Sequence, residues 1–113
     1  MDNFSAANAL SALGHDARLH VFRLLVQAGK EGLSVGEIAH HVGLPASTLA
    51  HHLKSLTDAG LIAQEKRGRA VVSRVNYPLM EGLLSFLTEA CCAGVDGDDG
   101  DDGAETAILK VVE

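Results

Sequence analysis

Apolar residues recur at helical spacing up to about residue 58. They fall in two short β-leaning runs between 61 and 75, and return to helical spacing from 78. Asp2–Leu13 predicts a first helix with Ala6, Ala7, Leu10 and Leu13 on one side, broken at Gly14. Asp16 is a good N-cap for a second helix to about Ala28. Its broad apolar face is Leu19, Val21, Phe22, Leu25 and Val26, with Arg18 and Arg23 solvated. Gly29 stops it, and Lys30–Leu33 is a connector. Ser34 with Glu37 three residues on has the capping-box spacing and opens a third helix, with Val35, Ile38 and Ala39 buried. Gly43 ends that helix, because glycine readily takes the left-handed conformation of a helix stop. Pro45 opens a fourth helix near its first turn, where the missing N–H costs nothing. Leu49, Leu53 and Leu56 face inward, which leaves Ser47, Thr48, His51, His52 and Lys54 largely on other faces.

Two short helices joined by a glycine-containing turn make a helix-turn-helix. In that motif the second helix enters the DNA major groove and presents its N-terminal residues to base edges. Ser47, Thr48, His51, His52 and Lys54 are therefore the candidate reading residues. Leu61–Glu65 and Ala70–Val75 follow as a hairpin, linked by the basic Lys66-Arg67-Gly68-Arg69. This is the wing of a winged helix-turn-helix, and Arg67 and Arg69 at its tip would reach phosphates or the minor groove. Pro78 opens a last helix to about Ala93 that is apolar around much of its cylinder. Such a helix has two partners: its own domain and the same helix of a second subunit. The expected fold is mainly α with a small β-hairpin, homodimeric through its terminal helices.

Composition refines this picture. The chain has 113 residues, the size of one domain, and 47% are apolar without a tryptophan. A core of Leu, Val and Ala in so small a chain often completes itself by dimerising. No apolar run reaches membrane-spanning length and nothing resembles a signal peptide, so the expected location is cytoplasmic, with no membrane partner. The net charge of −6 argues against DNA binding until it is mapped along the chain. Residues 95–113 alone carry −6, residues 1–94 are neutral, and Pro45–Asn76 carry +3. The basic patch coincides with the reading helix and wing, and local charge decides. The division follows: a DNA-binding and dimerisation domain over 1–94 and an acidic tail over 95–113. The tail's VDGDDGDDG is low-complexity and reads as flexible. Its EF-hand register fails, because no glutamate stands at the twelfth position. Ala104–Val112 reads as a short apolar segment able to dock as a helix or strand. No nucleophile–base pair, phosphate loop or closed metal cage appears, so an enzyme is not expected.

The overall layout, the HHLKSLTDAGLI run, the Arg-rich wing and the adjacent Cys91-Cys92 near the end of the last helix resemble the ArsR/SmtB family of metal-responsive repressors. The resemblance covers about residues 8–94. PASTLAHHL with FLTEACC is similar to the arsenic-resistance branch, whose members often carry a Cys-Cys pair there. The resemblance implies a homodimer with one winged helix-turn-helix per subunit, bound to double-stranded operator DNA. It implies release when trivalent arsenic or antimony binds, with no cofactor required. The chain also departs from the family. SVGEIAHHV holds no cysteine where many relatives have Cys-x-Cys. The last helix has no Asp or His for a zinc-type site, and Ala46 and Ala50 stand where many relatives have Gln and Ser. There is no third cysteine.

Trivalent arsenic is soft and binds thiolates, which only Cys91 and Cys92 supply. Successive residues on a helix point about 100° apart, so one atom can be held by both only if the helix frays, which Gly94 favours. Inorganic arsenite takes three sulfurs and a monosubstituted arsenical takes two, so the pair suits organoarsenicals. Alternatives are two small residues packing a helix end, a thiol-oxidation sensor, or a winged module that binds protein. Adjacent histidines on helices point apart, so His40, His41, His51 and His52 read as solvated or DNA-facing rather than as a zinc site.

Overall fold

The structure is a computed structural model and describes residues 1–95; the expectations for the acidic run and for Ala104–Val112 lie outside the described residues. Helix α1 spans Asn3–Leu13 and α2 spans Asp16–Ala28; a short 3-10 turn then leads into strand β1, Leu33–Ser34. Helices α3 (Val35–Val42) and α4 (Ala46–Asp58) form the helix-turn-helix. Strands β2 (Ile62–Arg67) and β3 (Ala70–Val75) form the wing, and α5 spans Tyr77–Leu87.

Local chemistry sets the helix starts. The Asp2 carboxylate accepts from the Ser5 amide at 2.7 Å and caps α1, and that bond holds its carboxyl below the usual value. The expected capping box at α3 forms in full. Ser34 Oγ accepts from the Glu37 amide and Glu37 Oε1 accepts from the Ser34 amide, at 3.1 and 2.8 Å. Two starts differ from expectation. The α2 cap is His15, whose Nδ1 accepts from the Ala17 amide at 3.2 Å, so Asp16 is already helical and adds a favourable charge to the first turn. Pro45 is the N-cap residue of α4 rather than a residue inside its first turn.

The buried face of α1 also differs. Ala6, Ala9 and Ala12 are buried, whereas Ala7 and Leu10 are exposed. Alanines let α1 approach α2, α4 and α5 closely, so the larger Phe4 and Leu10 turn outward. On α2, Val21, Phe22 and Leu25 are buried while Leu19 and Val26 are exposed. Leu25, Ile38, Leu49, Leu56 and Leu61 form the fully enclosed centre between α2, the helix-turn-helix and the root of the wing.

The sheet has three strands in the order β1-β3-β2, all antiparallel neighbours. The connector before α3 therefore carries a strand that its two-residue length hid from the alternation pattern. Leu33 pairs with Ser73 and Ser34 with Val72, which ties the start of α3 to the wing. The hairpin is longer than expected. Arg67 pairs with Ala70, so only Gly68 and Arg69 form the turn. Gly68 has φ +63 and stands first in the turn, the place where a type II′ hairpin needs glycine.

Asn76 locks α5 to the end of α4. Its Nδ2 donates to the Gly60 carbonyl at 2.9 Å, its amide donates to the Leu61 carbonyl, and its Oδ1 accepts from the Leu79 amide. The last helix is shorter than expected. Thr88 Oγ1 donates to the Leu84 and Ser85 carbonyls, which competes with continued helix. Beyond Leu87 the chain runs in tight i to i−3 turns, from Glu89 to Phe86, Cys91 to Thr88 and Ala93 to Ala90. Ala90 and Cys92 both have positive φ, at 58° and 65°.

Candidate nucleic-acid interface and thiol pair

On α4, Ser47, Thr48, His51 and Lys54 are exposed. At 100° per residue, Ser47, His51 and Lys54 fall in one stripe opposite Leu49, Leu53 and Leu56, with Thr48 beside it. This face can present two hydroxyls, an imidazole and an ammonium to a groove. Lys54 Nζ pairs with Asp58 one turn on, at 2.9 Å. Both groups are exposed and the pair contributes about 0.3–0.5 kcal/mol, so a phosphate can displace Asp58.

His52 is a correction. It was expected with the reading residues, yet it is only 7% exposed and its Nδ1 has no hydrogen-bond partner. Its ring lies 4.9 Å from the His15 ring at the α1–α2 junction. The signal was present: Leu49, His52, Leu53 and Leu56 are i, i+3, i+4 and i+7, the full buried stripe of a helix. Arg18, expected to be solvated, is half-buried with its Nε enclosed and unbonded.

In the wing, the strand register gives Glu65, Arg67 and Arg74 one face of the hairpin, and Gln64 and Ser73 the other. Gln64 Nε2 donates to Ser73 Oγ at 3.0 Å on the inner face. On the outer face Glu65 Oε1 pairs with both Arg74 and Arg67, the latter at 3.4 Å. Arg69 sits in the turn itself, exposed, and no ion pair involves it among the described residues.

Cys91 and Cys92 are exposed and lie past the end of α5, in the turns rather than on the helix. Their Sγ atoms are 3.2 Å apart, well beyond a disulfide bond length. Freed from helical geometry, the two side chains converge instead of diverging. Among the described residues, no cluster of three or more His, Cys, Asp or Glu side chains could hold a metal ion. His40 and His41 are exposed, with their rings edge-on 5.8 Å apart.

A helix-turn-helix domain model matches residues 13–65, which span α2 through most of β2. The chain is similar to the HTH-type transcriptional regulator YgaV of Escherichia coli (strain K12), 29% identical over 77% of this chain and 86% of that protein. It is also similar to the arsenical resistance operon repressor of Bacillus subtilis (strain 168), 36% identical over 72% of this chain and 73% of that protein. The chain belongs to the ArsR/SmtB family. An ArsR-like transcriptional regulator from Rhodococcus sp. RHA1 shares the fold with a TM-score of 0.70, over 96% of this chain and 93% of that one, at 21% identity.

As an ArsR/SmtB regulator the chain is a DNA-binding transcriptional repressor and not an enzyme. No helix among the described residues is long and apolar enough to cross a membrane. Helix α4 carries a titratable group on its buried side. Burial pushes the His52 imidazole below its ordinary value of 6.5, and the charges of His15, Arg18 and His51 add to the effect. Below 6.5 the unfolded chain therefore takes up the proton more readily than the folded one. Stability falls as pH drops from 6.5 towards the folded value and levels off beneath it. Urea midpoints of the parent are expected to fall between pH 7.5 and 5.0 by more than those of His52→Leu, which fills similar space without a proton site. Parallel falls in the two proteins would remove His52 from the acid response.

Proposed function

We propose that the chain acts as a homodimer that holds a pseudo-palindromic operator and leaves it when a trivalent arsenical bridges Cys91 and Cys92. The observation that carries this reading is the 3.2 Å separation of the two sulfurs. With bonds of about 2.3 Å, as in zinc–thiolate sites, that base gives a sulfur–atom–sulfur angle of about 90°. Such an angle suits the pyramidal bonding of trivalent arsenic. A methylarsenite, with arsenic carrying one carbon and two hydroxyls, exchanges both hydroxyls for thiolates and releases two waters. Arsenite or an antimonite held by the same pair retains one hydroxyl unless a further thiol joins. The arsenical resistance repressor of Bacillus subtilis supports the effector class.

Dimerisation rests on apolar surface left open on three elements. Phe4 and Leu10 of α1, Leu19 and Val26 of α2, and Leu84 and Leu87 of α5 are exposed. Between α2 and α5 a groove of ≈ 350 Å³ is walled by Phe22, Met80 and Leu83. An unpartnered apolar area of this kind is what a second subunit covers. Each subunit then offers Ser47, Thr48, His51 and Lys54 to the major groove, and the wing to the flanking backbone. The half-sites should lie about one helical turn, roughly 34 Å, apart or a multiple of it.

The test is a fluorescence-anisotropy titration on duplex DNA from upstream of the chain's own coding sequence, without and then with methylarsenite. Binding followed by release is the expected result. Tight binding that ignores methylarsenite, arsenite and antimonite would leave a DNA-binding repressor with a different effector. The same sulfur contact also favours oxidation to a disulfide. Release by a mild oxidant, reversed by a reducing thiol and unaffected by arsenicals, would select that second reading.

A further inference from the structure

Glu65 stands out because it is the one carboxylate of the wing, Ile62–Val75, whose other charged side chains are all basic. Its Oε1 accepts from Arg67 two residues along β2 and from Arg74 diagonally across the hairpin. The register explains the meeting. Glu65 is opposite Val72 and Arg74 is opposite Ala63, so the three charged side chains leave the same face of the two-stranded ribbon. Glu65 and Arg67 are about half exposed and Arg74 a third, so the group sits at the water boundary, where a phosphate could compete. Arg69, in the turn, has no carboxylate within ion-pair distance among the described residues.

We propose that Glu65 is a specificity-determining positioning residue of the wing. It holds Arg67 and Arg74 as an internal substitute for a phosphate and leaves Arg69 as the wing's principal arginine contact with DNA, with Lys66 exposed on the opposite face. The inference rests on the reading of the wing as a DNA-contacting element and deepens it. Non-specific binding consists almost entirely of cations exchanging counterions on phosphates. A carboxylate that occupies two of the wing's arginines suppresses that exchange on every sequence. The base contacts of α4 do not pass through Glu65 and keep their share of the operator's affinity. Glu65 thereby widens the gap between operator and bulk DNA.

The experiment measures affinity against salt concentration, on the operator and on a mixed-sequence duplex, for the full chain and four variants. Glu65→Gln keeps the shape and removes the charge. It should bind mixed-sequence DNA several-fold more tightly at low salt and steepen the salt dependence by about one to two units, as one or two arginines gain phosphates. The ratio of operator to mixed-sequence affinity should fall. Glu65→Gln/Arg67→Ala should return much of the way to the parent slope, which a general loosening of the hairpin would not produce. In the parent background, Arg69→Ala should flatten the slope by about one and Arg67→Ala by clearly less. Glu65→Gln with the parent's slope and ratio overturns the proposal, as does Arg67→Ala matching Arg69→Ala. If neither arginine variant nor Glu65→Gln changes binding, the wing itself makes no DNA contact, and both the proposal and the reading beneath it fall.

Discussion

Replacing Cys91 and Cys92 together by serine is expected to leave operator affinity within about twofold of the parent, the usual reach of an exposed substitution. It should abolish release by every trivalent arsenical. Serine keeps the size and hydrogen-bonding capacity of the side chain but offers a hard oxygen in place of a soft sulfur. The two sites are separate in the fold: the thiols follow α5, whereas the reading stripe is on α4 and the basic turn on the wing. A ligand at one can empty the other only through its difference in affinity for two dimer shapes. Abolishing the ligand's bonds removes that difference and leaves the empty repressor as it was. The number of sulfurs also sets an order among effectors. Two thiols complete the coordination of methylarsenite or phenylarsenite, while arsenite lacks one ligand. The organic forms should therefore release DNA at lower concentration. Each single Cys→Ser variant should fail as completely as the double, because one thiolate holds arsenic no better than a small monothiol does. Release persisting in the double variant would place the effector site elsewhere. Arsenite matching methylarsenite without added thiol would require a third ligand.

Much of this arrangement is legible in the sequence, and the reasons it is legible are local. The capping box at Ser34 and Glu37, the stop at Gly43 and the turn at Gly68 depend on residues within three or four positions of one another. Where tertiary packing decides, the pattern misleads. On α1 the larger residues mark the wrong side, since close helix approach selects the alanines. His52 completes a buried stripe although its chemistry suggests the reading face. The strand at Leu33–Ser34 has too few residues to alternate and exists only because β3 passes beside it. The end of α5 is set by side-chain competition at Thr88, which no periodicity records, and it alters the site most. Sulfurs expected to need a frayed helix already lie within contact distance. The Glu65 pairing was open to inspection only through the hairpin register, because Arg74 is nine residues away in sequence.

The pairing of β1 with the hairpin depends on the backbone at Gly32, which packs directly against Ser73 of β3. Gly29 opens the 3-10 turn before β1 and Gly32 follows it, and they have nearly the same backbone conformation, φ 78°, ψ −156° and φ 68°, ψ −170°. Both lie in a region that is essentially glycine-only, so alanine at either costs roughly 1–3 kcal/mol in strain. They differ in surroundings. A Cβ on Gly29 meets nothing within 4 Å, whereas one on Gly32 would sit 2.4 Å from the Ser73 carbonyl oxygen and 3.1 Å from Arg74 Cβ. Ser73 is fully buried and lies in the central strand, so its carbonyl cannot retreat without disturbing pairs on both sides. Gly32→Ala should therefore be the more destabilising by urea denaturation, exceeding Gly29→Ala by about 1–3 kcal/mol, the cost typical of overpacking. The damage should also reach DNA. Parting β1 from β3 frees the Leu33–Ser73 and Ser34–Val72 pairs that hold the start of α3 against the wing. At a temperature where both variants remain folded, Gly32→Ala should lose operator affinity and Gly29→Ala should keep it. Equal stability of the two variants would mean that β1 shifts away from β3 at little cost, and that the wing is anchored by the hairpin and Asn76 alone.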